Sequence, residues 1–302
     1  MKMRMTSSVF SKTSLAATVG CLLSLWAQAA APIAYDDFNG YTTGTNVIGQ
    51  SGGSGWNDSW YNNNSFVVEV VDGSSMTYNQ GGVVRGGGNA IKITNDAPLI
   101  LARNIYSTPD TSGQNYFSSF IFQVVNNDNA TGNIGNEFTH YAPVDGQNEF
   151  VAQNSTIGII AKGGDAGVRN GGSSNQDLVD NHIQYATTYF AVVKYSGWDG
   201  SKYNTATLWL NPATTDESTT LNTIVATIDI DDTGSTGFGG LQIRSFFLAD
   251  ENSYFLLDDM RIGTDWDSVV TASIPEPATT GLLFGLCVLL LANRYKRSKS
   301  RR

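Results

Sequence analysis

Acids, histidines and tryptophans decide which chemistry this chain could perform, and most of the catalytic options close quickly. A glycosidic bond is cut by two carboxylates held at a fixed separation on either side of it. Glu137 and Glu149 are neighbouring glutamates in mid-chain, but they sit in Asn/Gly-rich sequence with Pro143 between them, and nothing places them on one strand face. They read as solvated loop carboxylates. The two histidines, His140 and His182, are isolated in sequence from any candidate nucleophile and show no His-x-x-x-His spacing for zinc. Ser155 and Ser173 lie in Asn/Gly loops without the strand-turn-helix signature of an activated serine. Asp229, Asp231 and Asp232, followed by Thr233-Gly234, resemble the start of a calcium loop, with carboxylates at alternate positions and glycine for the turn. The twelfth position is Gly240, where an EF-hand requires a bidentate glutamate, so a looser calcium site or a plain strand-end turn remains. Asp128, in Asn126-Asn127-Asp128-Asn129, could supply oxygens to such a site. No enzyme is expected.

Binding fits the residues better. Trp56, Trp60 and Tyr61 lie among Gly, Ser and Asn. An aromatic face stacks on the apolar face of a pyranose while Asn and Asp satisfy its hydroxyls. The alternative is that Trp56 and Trp60 pack beneath a sheet. Trp198, in Ser196-Gly197-Trp198-Asp199-Gly200, is placed in a hairpin loop after a strand, either exposed to ligand or capping the edge.

The elements that must position these residues read as strands. From about Ala34 to Val270, short runs rich in Val, Ile, Phe, Tyr and Thr are separated by Asn, Asp and Gly clusters. Examples are 65–71, 89–94, 116–125, 156–161, 188–195, 205–211, 223–230, 241–248 and 253–262. Several alternate, as in Thr207-Leu208-Trp209-Leu210, which puts side chains of one parity on a core. No stretch shows sustained apolar spacing at helical period. The expectation is one all-β domain, a two-sheet antiparallel sandwich or jelly roll.

Both ends read as addresses. Lys2, Arg4 and Lys12 precede an apolar stretch from Leu15 to Trp26, and Ala27-Gln28-Ala29 supplies the small residues that signal peptidase needs, so a signal peptide is expected over residues 1–29. A cut two residues later would set Pro32 directly after the scissile bond. Cys21 lacks the leucine three residues before it that lipidation requires. At the far end Pro275-Glu276-Pro277 precedes an apolar run from Ala278 and then Arg294, Lys296, Arg297, Lys299, Arg301 and Arg302. The prolines fix extended chain, the apolar run (residues 278–293) enters a bilayer as a helix, and the cations stop transfer on the cytoplasmic side. The fifteen residues Ala278 to Ala292 would rise roughly 22 Å as a helix, short of the ~30 Å hydrocarbon core. That suits a transient span better than a permanent anchor.

Nine of the 18 Lys and Arg belong to these two ends, and 26 of the 27 acids do not, so the exported part carries about −17. Such a surface argues against nucleic acid and anionic lipid as partners and is compatible with neutral glycans or divalent cations. Both cysteines, Cys21 and Cys287, also lie in the ends, so the exported domain must be held together by burial alone.

The tail, in its motif, order and terminal position, resembles the PEP-CTERM sorting signal of Gram-negative bacteria. The resemblance implies an exosortase that cuts near Pro275-Glu276-Pro277 after transient residence in the inner membrane, releasing the domain to the cell surface or extracellular matrix. The domain itself resembles exported PEP-CTERM proteins with a concanavalin A or laminin G-like jelly roll. That resemblance rests on Tyr35-Asp36-Asp37-Phe38, Gly52-Gly53-Ser54-Gly55-Trp56, Tyr189 to Lys194, Leu208 to Pro212 and Leu257 to Trp266. It implies two curved antiparallel sheets with first and last strands adjacent. The Glu-x-Asp-x-x-Glu strand of laminarinase-type glucanases, which share this shape, is absent. Family naming has attached ice binding to such tails, but no threonine period that could tile a flat array is present. The expected organisation is a signal peptide (1–29), a jelly-roll domain (30–272) and a sorting signal (273–302). The expected function is an exported structural or glycan-binding module that is not an enzyme, with extracellular polysaccharide as partner. The alternatives are a polysaccharide hydrolase with a non-standard carboxylate pair and a permanently anchored surface protein.

Overall fold

Runs of β-branched and aromatic residues pair here into sheets wherever two of them can share a buried face. The structure, a computed structural model, describes residues 31–62, 67–94, 99–106, 110–126, 138–144, 157–162, 165–170, 176–179, 183–212, 217, 223–227, 237–246 and 253–271. In chain order its strands are β1 (Ala34–Asp36), β2 (Tyr61–Asn62), β3 (Glu69–Asp72), β4 (Thr77–Gln80), β5 (Val83–Gly86), β6 (Asn89–Thr94), β7 (Leu99–Asn104), β8 (Tyr116–Asn126) and β9 (Phe138–Val144). They continue with β10 (Ile157–Lys162), β11 (Asp165–Asn170), β12 (Gln176–Val179), β13 (Thr188–Trp198), β14 (Tyr203–Leu210), β15 (Thr223–Thr227), β16 (Gly240–Phe246) and β17 (Ser253–Gly263). A short helix, α1 (Trp266–Val270), follows.

The first sheet runs β15-β14-β13-β8-β17-β6-β3, with β1 also paired to β17, and the second runs β12-β11-β10-β9-β16-β7-β2. β4 and β5 form a separate hairpin. Every pairing between these strands is antiparallel. The all-β, antiparallel expectation therefore holds, and so does the adjacency of first and last strands: Ala34 pairs with Ile262 and Asp36 with Met260. The compact unit is Pro32–Thr271. The expected signal peptide and the whole segment 273–302 lie outside the described residues. Among the described residues no helix is long and apolar enough to cross a membrane.

Alternation explains the core. Tyr189, Ala191, Val193 and Tyr195 of β13 join Leu101 of β7 and Leu241 and Ile243 of β16 in one cluster, so these faces of the two sheets enclose it. Phe190 and Val192 have the opposite parity and join Met76, Tyr78 and Val83 of the hairpin segment with Trp266, Val269 and Val270 of α1. The middle of the first sheet is thus buried on both faces. That is why β8 and β13 are nearly continuous apolar runs, a pattern that strands acquire when neither face meets water.

Helix α1 is too short to alter the all-β class, and the sequence did not single it out. Its Asp265 N-cap accepts from the Ser268 N–H, and Asp267 adds a carboxylate in the first turn. A segment of five residues is too short to display a helical period, and packing, not propensity, holds it. The Trp266 indole meets Trp209 edge-on at 5.1 Å, which seals the helix to the outer face of β14.

Candidate functional site

The Gly-Ser-Gly-Trp segment is shaped by close backbone approach to β1. Gly55 has φ 79°, and a Cβ there would sit 1.9 Å from the Ile33 carbonyl oxygen, so only glycine fits. Ser54 and Tyr35 exchange both backbone hydrogen bonds at 2.9 Å. This lays the Trp56 indole against β1, where its Nε1 donates to the Tyr35 carbonyl at 2.9 Å.

Beneath it lies a buried polar hub between the sheets. Asp36 is fully buried, and its Oδ2 accepts from the Arg103 Nη1 at 2.6 Å, the Tyr41 hydroxyl at 2.7 Å and the Trp60 Nε1 at 3.0 Å. Its Oδ1 accepts from the Phe38 N–H at 3.1 Å. Burial pushes the carboxyl up, while the Tyr41 hydroxyl, the Arg103 charge, the Trp60 indole and the Phe38 N–H pull it back. Four donors and no acceptor suit the ionised form. Burial, followed by the charge of Asp36, also holds the Tyr41 hydroxyl protonated well above the usual range. The Arg103 guanidinium stacks 4.9 Å from the Trp56 ring and 5.6 Å from that of Trp60. Its Nε donates to the Asp58 carbonyl at 2.9 Å. The Asp58 carboxylate accepts from the Asn104 backbone N–H at 2.9 Å and its side-chain amide at 2.7 Å.

This geometry separates the aromatic candidates. Trp60 is 1% exposed, so its faces are closed to a glycan, and packing beneath the sheet is its role. Trp56 and Tyr61 are half-buried, and both lie by the Arg103-Asn104 end of β7. Tyr61 pairs with Ala102 in register, and its hydroxyl lies 3.4 Å from the Asn104 Oδ1. Trp198 belongs to a different group. It is the last residue of β13, paired with Tyr203, and not part of the turn, which begins at Asp199. Its ring lies 5.0 Å from that of Tyr203, and a Cβ on Gly113 would come within 2.4 Å of it, so it caps the sandwich edge.

A second polar group was not foreseen. Between Asp258, opposite Ile121, and Arg261, opposite Ser119, β17 carries an extra residue relative to β8. Asp259 takes φ 48° in this bulge. Its carboxylate accepts from Arg261 at 2.8 and 3.3 Å and lies 3.7 Å from the Arg85 Nε. Arg85 in turn donates to the Val269 carbonyl at 3.1 Å and to that of Val270, so it caps α1 at its C-terminal end. Burial lowers the Arg85 guanidinium to about 10. Asp258 is 1% exposed, and its Oδ1 accepts from the Asp259 N–H at 2.6 Å while its Oδ2 has no partner. Burial, then the charge of Asp259, push its carboxyl up to about 8. One acid is thus held neutral at pH 7 and the next is held by arginine. The sequence signal was present in Tyr35-Asp36-Asp37-Phe38 and Leu257-Asp258-Asp259, but the acids there gave no spacing that pointed to a hub.

Among the described residues no group of three or more His, Cys, Asp or Glu could hold a metal ion. The calcium candidates Asp229, Asp231 and Asp232 lie outside the described residues, as do Glu137, Glu149, His182, Ser155, Ser173 and the sorting motif Pro275, Glu276 and Pro277. His140 lies on β9, paired with Arg244 of β16 and Ile160 of β10.

No family model matches the chain, and no curated protein matches it. Among solved structures it is similar to a carbohydrate esterase of the Shiga toxin-encoding bacteriophage phi24B, at 15% identity over 73% of this chain and 97% of the other, with a TM-score of 0.41. It is similar to Lotus tetragonolobus seed lectin, at 12% identity over 73% and 97%, TM-score 0.42. Peanut lectin matches at 14% identity over 67% and 95%, with a TM-score of 0.38.

Proposed function

We propose that the chain is an exported protein, sorted through its Pro-Glu-Pro tail to the cell surface or extracellular matrix, whose antiparallel β-sandwich associates with neutral glycan. The observation that carries the glycan reading is one edge of the second sheet. There the half-buried Tyr61 of β2 lies by Asn104 and the half-buried Trp56 by Arg103, with exposed Asn57 and partly buried Asp58 in the segment between them. Apolar ring faces beside hydrogen-bonding groups are what a pyranose requires, one face for its C–H surface and polar groups for its hydroxyls. An acidic body repels anionic polymers and leaves a neutral polysaccharide as the favoured class.

A glycan array probed with the purified protein tests this reading. Binding to one or more neutral glycans is expected, with affinity reduced about tenfold or more in Tyr61→Ala and in Trp56→Ala. Tyr61→Ala is the cleaner variant, because Trp56 also stacks on Arg103. Binding that both variants retain, or an array without signal, would remove the glycan reading.

A further inference from the structure

One edge of β17 is shared by two strands. β8 lies along its other side, so β6, paired with Tyr254 to Leu257, and β1, paired with Met260 to Ile262, stand end to end on the side that remains. Asp258 and Asp259 fall in the gap between them, and neither is paired to β1 or to β6. The chain turns away from β1 at this point, with Phe38 at φ 54°. Asn89, at the start of β6, stitches across to it: its side-chain amide donates to the Phe38 and Tyr41 carbonyls at 3.4 and 3.0 Å. The gap is therefore walled by acids, Asp36 and Asp37 from the end of β1 and Asp258 and Asp259 from β17.

The arginines beside it are already engaged. Arg103 is held by Asp36, and Arg261 and Arg85 by Asp259. Asp258 is 1% exposed; its Oδ1 accepts the Asp259 N–H, and its Oδ2 has no partner. The charges of Asp259, Asp37 and Asp36 that bear on it are all of its own sign. The Asp37 carboxylate accepts two long bonds from Asn39, each at 3.2 Å, one to each oxygen, which leaves both oxygens with a free lone pair. A proton on Asp258 would remove its charge, but the O–H so formed needs an acceptor, and none stands at Oδ2. A cation needs no acceptor and answers the repulsion among the acids as well. Ligands that are all hard oxygen favour calcium over zinc or copper, and magnesium gives up its water reluctantly.

We infer that the gap between β1 and β6 is a calcium site, with the Asp258 Oδ2 and the Asp37 carboxylate as its side-chain ligands. Two carboxylates are fewer than a site built from side chains alone requires, and calcium sites take their remaining oxygens from main-chain carbonyls and water. The ion closes the seam where the first strand meets the last, next to the Asp36 hub. Its binding belongs to the folded state, because the seam brings together residues far apart in the unfolded chain. The site is independent of the glycan reading and of the calcium-like sequence Asp229 to Gly234.

Thermal melts of the purified full chain near neutral pH, in millimolar calcium and in chelator, test the site. The wild type is expected to gain roughly 5 °C in calcium and less in magnesium. Asp258→Asn keeps the shape without the charge; it should melt cooperatively, no lower than wild type in chelator, and lose most of the calcium gain. Asp37→Asn should weaken calcium about tenfold in calorimetric titration, whereas Asp229→Asn should leave the affinity unchanged. A wild type that melts identically in calcium and in chelator would overturn the site. So would a full calcium gain in Asp258→Asn, or an affinity that Asp37→Asn does not change. Calcium binding lost in Asp229→Asn and kept in Asp258→Asn would move the ion to that other sequence and likewise remove it from the seam.

Discussion

Arg103 and Asp258 show how differently two buried charged side chains can be treated in one sandwich. Arg103 is 1% exposed and ties the two sheets together through Asp36, the Asp58 carbonyl and two indole faces. Removing it leaves Asp36 buried with its countercharge gone. Arg103→Met is therefore expected to lower unfolding stability by about 3–5 kcal/mol in urea denaturation. The double variant with Asp36→Asn should recover part of the loss, because the orphaned charge goes too. Asp258 has no such countercharge on its Oδ2, and its carboxyl stands at about 8 against an ordinary 3.8. Between those values the folded form holds a proton that the unfolded chain has released. Stability is then fully present at and below about pH 4 and declines as pH rises towards 8, at up to ~1.4 kcal/mol per pH unit. Asp258→Asn should flatten that decline and be more stable than wild type by about 2 kcal/mol at pH 8. Parallel urea curves at pH 5 and pH 8 read this directly; a wild type equally stable at both would contradict it.

At the scale of elements, legibility followed how much of the pattern is local. The run 89–94 is β6 residue for residue, and 116–125 and 253–262 each fall one residue short of β8 and β17. These are long apolar runs bounded by turn residues. β1, β2, β4, β5, β7, β9, β11 and β12 fall outside the runs singled out in the sequence; Thr-Tyr-Asn-Gln and Asp-Ala-Gly-Val-Arg-Asn have too few apolar positions to show a period, and pairing with neighbours makes them strands. The aromatic edge was legible as composition, since Trp56, Trp60 and Tyr61 stood out. Which of them is buried was not, because it depends on Asp36 and Arg103, 67 positions apart in sequence. Helix α1 was illegible for the same reason: what holds it is Trp209 and Arg85 from elsewhere. Trp266→Ala is accordingly expected to cost about 3–5 kcal/mol and to uncover the outer face of the first sheet, measured by thermal melting and by increased binding of a hydrophobic dye. Gly55→Ala, with its Cβ against the Ile33 carbonyl, should destabilise the edge that carries Trp56.

For the molecule as a whole, the pairing of β1 with β17 brings the start and finish of the body together, and the two proposed processing points fall just outside it. A signal cut after Ala29 would leave Ala30 to Ile33 ahead of β1, so the proposed processing would keep Asp36 and the hub intact. Pro275 follows Thr271, the last described residue, after Ala272, Ser273 and Ile274. A cut near the Pro-Glu-Pro motif, as proposed, would likewise spare α1 and its Arg85 cap. Processing would also change the charge: the ends carry nine cations and one acid, so their loss takes a chain of net −9 to a body of about −17. Such a body is expected to stay soluble beside neutral polysaccharide and to be repelled by anionic surfaces. Intact-mass analysis of the protein recovered from the producing cell's surface and medium should find a species that begins at Ala30 and lacks Arg294 to Arg302. Recovery of a mature form that keeps those basic residues would replace transient passage with a permanent anchor, while leaving the hub, the bulge and the glycan edge as they are.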